Sequence, residues 1–173
     1  CTLFRDNLEI MSIGNTKNHD KPEKVMLLTS QLQPSPSGGR ELLCKLNHDV
    51  LCELFGERLV VHQLPRQKLR GTKALIDAFR GHIDGLTDAS ITNALKTIQT
   101  ENVTKLFVDG SNLGEFVREA KKRSPNPEIF TFFHNVESRF FLGSLKQTKS
   151  FRSLAVLVAN YLAERRAVRF SDK

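Results

Sequence analysis

The sequence predicts an α/β protein: a Rossmann-like open, mostly parallel sheet with helices on both faces. Three observations carry this. Short apolar runs of strand length alternate with stretches of helical periodicity four times. The first run, "KVMLLTS", is continuous rather than alternating, as in a strand covered on both faces. Polar stretches follow three of them, "SPSGGRE", "DGSNLG" and "HNVE". Open α/β sheets bind their ligands outside the carboxyl ends of the strands, so three such stretches would line one cleft.

Residues 1–23 read as a loosely held, turn-rich lead-in, and 24–173 as the domain. "KVMLLTS" (24–30) is the first strand, and "QLQPSPSGG" is a loop by its Pro, Ser and Gly content. "RELLCKLNHDVLCELFG" is a helix whose inward stripe should be Leu43, Leu46, Val50, Leu51 and Leu54, with Gly56 as its stop. "RLVVHQL" (58–64) is the second strand, followed by a glycine-interrupted helical region over 74–83. Thr87 or Asp88 caps a cleaner helix carrying Ile91, Leu95 and Ile98 on one stripe. "TKLFVDG" (104–110) is the third strand. The helix "NLGEFVREAKKR" turns Leu113, Phe116, Val117 and Ala120 inward, and "SPNP" ends it. "EIFTFFH" (128–134) is the fourth strand. A last helix over 151–168 aligns Phe151, Leu154, Ala155, Val158 and Leu162.

With 173 residues, 39% of them apolar and 26% charged, the chain can bury a sizeable core as one domain. No apolar run approaches the roughly 18 residues of a membrane span. "CTLFRDNLEI" lacks the apolar region of a secretory signal. Cys1, Cys44 and Cys52 form no C-x-x-C pair, and an odd count without a framework fits a reducing, cytoplasmic setting. They read as small apolar residues or surface thiols rather than ligands. The net charge of +7 is uneven: Arg66, Lys68, Arg70 and Lys73 cluster in "RQKLRGTK", and 144–173 carries seven positives against two acids. Such patches attract phosphates or anionic lipid. No helix-turn-helix, zinc spacing or RNP-like strand is present, so nucleic acid is not an expected partner.

Gly38 and Gly39 precede the first helix, where backbone N–H groups and a partial positive charge suit a phosphate. A Gly pair alone more often marks an ordinary loop, and neither a P-loop nor G-x-G-x-x-G is present. Asp109 ends the third strand beside Ser111 and Asn112, which could equally cap the next helix. A lone histidine is more often structural, but His134 stands with Asn135 and Glu137, and a buried cluster would need partners for all three. His19, His48, His62 and His82 have no such company and read as structural or surface residues. No metal-ligand spacing, Gly-x-Ser-x-Gly elbow or Cys–His pair in one cleft is evident, so neither metal nor cofactor is expected.

The segments "KVMLLTS", "SGGRELLCKL", "LFVDGSNLG", "IFTFFHNVESRFF" and "YLAERRAVRFSDK" together resemble the N-terminal half of a GT-B glycosyltransferase, in particular the retaining family 4. The likeness runs from about residue 24 to the last residue, and "FFHNVE" and the closing "SDK" region are its more specific parts. It implies a nucleotide-sugar donor, a glycan or lipid-linked acceptor and metal-independent transfer in which the leaving phosphate helps deprotonate the acceptor. Gly38 and Gly39 would approach the donor diphosphate and His134 the donor sugar. Asp109, Ser111, Asn135, Glu137 and Arg139 would be acceptor-side candidates. Arg66, Lys68, Arg70 and Lys73 would dock the protein at the inner face of a membrane. The family's donor half, with its basic pair and two glutamates, is not in these residues, so the chain alone is expected to be inactive. The competing expectation is a non-catalytic α/β module that binds a nucleotide or a protein.

Overall fold

The computed structural model describes residues 23–65 and 71–173. Strands β1 (Lys24–Thr29), β2 (Leu59–Gln63), β3 (Val103–Asp109) and β4 (Glu128–Phe132) form one sheet in the order β2-β1-β3-β4, with every pair parallel. Helices α1 (Gly39–Phe55), α2 (Gly71–Arg80), α3 (Asp88–Thr100), α4 (Gly114–Arg123), α5 (Glu137–Thr148) and α6 (Phe151–Phe170) surround it. The open α/β architecture is the expected one. From β1 the chain steps outward to β2, then returns across β1 to β3. The switch point therefore lies between the carboxyl ends of β1 and β3, where Thr29 and Asp109 stand in register.

One face of the sheet holds the main core. Met26, Leu28, Leu106, Val108 and Ile129 meet Ile91, Ala94, Leu95 and Ile98 of α3, Phe116, Val117 and Ala120 of α4, and Leu113 just before α4. The inward residues expected for these two helices are the ones buried. Thr87 caps α3 through a reciprocal pair with Ser90, which satisfies two of its first N–H groups. Val25 and Leu27 alternate to the opposite face. There, Val25 and Phe107 border a groove of about 360 Å³ with Leu51 and Phe55 of α1.

Four expectations are corrected. First, the predicted apolar stripe of α1 faces out: only Leu51 of that set is buried, while Leu46 is 49% and Leu54 63% exposed, and Leu43 and Val50 are exposed too. Second, α6 buries Ala155, Ala159, Ala163 and Ala167 in place of its large residues, leaving Phe151, Leu154 and Val158 exposed and Leu162 half-buried. The reason is close approach. A Cβ at Gly114 would lie 1.9 Å from the Ala163 carbonyl oxygen, so only alanines fit where α6 crosses the start of α4. Third, "ESRFFLGSLKQT" forms α5, a helix absent from the sequence reading, packed on α6. Fourth, β4 ends at Phe132, so His134 lies beyond the strand rather than in it.

After α6 the backbone turns along β4. Asp172 N–H donates to the Ile129 carbonyl at 2.9 Å, and Thr131 N–H to that of Lys173 at 3.0 Å. The Asp172 carboxylate accepts from the Ile129 N–H and from Lys121 Nζ, which together hold it below the ordinary carboxylate range.

Candidate functional site

The inward face of α1 is polar. Arg40, Cys44, Asn47 and Leu51 recur at helical spacing, and the first three reach the switch point. Their centre is Asp109, with no solvent exposure. Its Oδ2 accepts from Thr29 Oγ1 at 3.0 Å and its Oδ1 from Asn47 Nδ2 at 2.8 Å. His134 Nε2 lies 3.0 Å from the same Oδ1. Burial pushes the Asp109 carboxyl upward, but hydrogen bonds from His134, Cys44 and Asn47 outweigh it and hold the group below its ordinary value.

Such a carboxylate only accepts hydrogen bonds, so the nitrogen facing it carries the proton. In the neutral imidazole this leaves Nδ1 with a lone pair, and that buried atom has no hydrogen-bond partner among the described residues. The His134 side chain is 5% exposed, and Phe132 meets it edge-on at 5.1 Å between ring centroids. Cys44 Sγ is 3.6 Å from His134 Nε2. No such Cys–His pair was expected, and the tertiary structure makes one from residues 90 positions apart. Burial and the adjacent carboxylate push the Cys44 thiol up to about 12, so it is protonated at neutral pH and serves as a hydrogen-bond donor, not a nucleophile.

A second cluster adjoins the first. Arg40 binds the carboxylate of Asp84 and, at 3.2 Å, the amide oxygen of Asn112, whose own amide group returns to Asp84. Gly110 turns the chain out of β3 at φ 138°, a conformation closed to side chains, and Arg40 Nη2 lies 3.5 Å from where a Cβ would stand. Among the described residues Ser30 Oγ and Arg40 Nε are buried without hydrogen-bond partners, as His134 Nδ1 is. All three belong to segments at this one edge of the sheet. Buried polar atoms are normally paired, so this edge has unused hydrogen-bonding capacity.

Gly38 and Gly39 stand at the start of the same α1. A Cβ at either would meet nothing within 4 Å. Gly38 is the N-cap, with no side chain capping the first turn. The Glu41 carboxylate folds back to accept from the Ser37 N–H and Oγ, both at 2.8 Å, so one acid and one base, Glu41 and Arg40, stand in the first turn of α1.

Asp109, His134, Gly38 and Gly39 are thus on elements that meet at one edge. Ser111 is buried in a 3-10 turn, Ser111–Leu113, and neither it nor Asn112 caps α4, whose N-cap is Leu113. Asn135 and Arg139 are exposed, and Glu137 lies half-buried in the first turn of α5. Lys73 is exposed on α2, and Arg66, Lys68 and Arg70 lie outside the described residues. The sequence reading missed Thr29, Arg40, Cys44, Asn47 and Asp84. For Arg40, Cys44 and Asn47 the available signal was a polar i, i+4, i+7 stripe on α1, masked by the leucines beside it. Compared with protein-family models, with curated proteins and with solved structures, the chain has no match in any of the three.

Proposed function

We propose that this edge is the acceptor-side wall of a sugar-transfer site, in a retaining, metal-independent glycosyltransferase of GT-B type that uses a nucleotide-sugar donor. The observation that carries the reading is the His134 ring, oriented by a buried carboxylate at the switch point while its second nitrogen is left unpaired. On this reading Nδ1 bonds a sugar hydroxyl. The uncapped first turn of α1 and the nearby guanidinium of Arg40 stabilise the charge that develops on a leaving diphosphate. Open space before Gly38 and Gly39 lets that group approach the backbone.

The test is titration of the amide resonances with uridine, guanosine and adenosine diphosphates and their sugars. Gly38, Gly39 and Arg40 should shift with at least one of them. Neither glycine is held in a left-handed conformation, so Gly39→Ala should keep the fold while weakening that response about tenfold, because a methyl group bars the backbone approach. His134→Ala should abolish the sugar-dependent part of the shift and leave the diphosphate part. No response to any of these ligands at millimolar concentration would sink the reading. The competing reading, a non-catalytic module for a protein partner, draws on the exposed leucines of α1.

A further inference from the structure

We propose that Cys44, Asp109 and His134 form a binding site for a thiophilic divalent cation, zinc above all. The inference does not rest on sugar transfer and departs from its metal-independent form: zinc would take His134 Nε2 and leave Nδ1 to the sugar hydroxyl. One ligand atom from each residue, Cys44 Sγ, Asp109 Oδ1 and His134 Nε2, lies within 4.8 Å of the other two. Zinc takes sulfur at about 2.3 Å and nitrogen or oxygen at about 2.0–2.1 Å in tetrahedral array. Those lengths place sulfur and nitrogen about 3.5 Å apart and nitrogen and oxygen about 3.3 Å apart. The structure has 3.6 Å from Sγ to Nε2 and 3.0 Å from Nε2 to Oδ1.

The surrounding residues favour the same occupant. Thr29 and Asn47 already orient the Asp109 carboxylate, as outer partners of a metal ligand do. Charge is the second argument. The buried Asp109 carboxylate is held by hydrogen bonds from His134, Cys44 and Asn47. Zinc with a thiolate and a carboxylate sums to zero, which suits a buried site. The step balances simply. The Cys44 thiol proton leaves to solvent, the imidazole proton moves from Nε2 to Nδ1, and the metal takes the sulfur and Nε2 lone pairs. Three protein ligands leave a fourth position for water or a substrate oxygen.

Cys1→Ser with Cys52→Ser leaves Cys44 as the sole thiol, and Cys52 is exposed. This protein should bind one cobalt(II) per chain with a thiolate-to-cobalt absorption band, and equimolar zinc should bleach it. Zinc-edge X-ray absorption should show one sulfur at about 2.3 Å with nitrogen and oxygen at about 2.0–2.1 Å. Absence of the band, or a zinc shell without sulfur, overturns the proposal. His134→Asn, checked for folding by circular dichroism, should lose the band, and a folded variant that keeps it also overturns the ligand set. If that variant unfolds, the sulfur count on the parent protein decides.

Discussion

Asp109 shows how one buried charge organises its neighbours. A carboxylate with no exposure needs several donors, and Thr29, Asn47 and His134 supply them from three separate elements. That need explains why α1 turns Cys44 and Asn47 inward and leaves its leucines out. His62 on β2 makes a different point. Burial holds its imidazole below the ordinary 6.5, so the folded protein resists protonating it while the unfolded chain does not. The unfolded state then binds more protons below pH 6.5, and stability falls as pH drops through that value. Urea midpoints measured between about pH 8 and 5 should decline with acid, and His62→Gln should flatten the decline. An unchanged slope in the variant would contradict this account.

At the scale of elements, the crossing of α6 over the start of α4 is set by absent atoms. Gly114 has no room for a Cβ: the Ala163 carbonyl oxygen would stand 1.9 Å from it and the Ala167 nitrogen 2.6 Å. Both are backbone atoms that cannot rotate away. Gly114→Ala should therefore force the helices apart and cost about 1–3 kcal/mol or more in urea denaturation. Gly143 within α5 is the control, since a Cβ there meets nothing within 4 Å. Gly143→Ala should stabilise by about 0.4–1 kcal/mol through helix propensity and a less flexible unfolded chain. Equal effects at the two glycines would refute the packing argument.

Charge acts at the scale of the whole molecule. A net +7 with Arg66, Lys68, Arg70 and Lys73 in one short stretch should attract anionic surfaces. Among the described residues no helix is long and apolar enough to cross a membrane. Vesicles with anionic lipid should bind the protein at low salt and release it as the Debye length shortens. Reversing Arg66 and Lys68 to Glu should weaken binding by about 1 kcal/mol or more per charge in co-sedimentation. Binding indifferent to lipid charge would remove the membrane from the proposed function.

What the sequence determined by itself was the alternation of elements and the edge where the candidate site lies. β1 announces itself because a strand covered on both faces is apolar without a break, and Ile91, Leu95 and Ile98 because α3 has a single inward stripe. Asp109 and His134 could be picked out because a polar residue at the end of an apolar run has lost its reason to be core. Their partnership could not. Cys44, Asp109 and His134 meet only through the β2-β1-β3-β4 order, which spans separations of up to 90 residues that no local pattern encodes. The inward faces of α1 and α6 were likewise decided in the tertiary structure. Periodicity ranks residues by hydrophobicity, whereas a helix buries whatever its neighbour requires. Against a buried carboxylate that is a polar stripe, and against the backbone of another helix it is alanine.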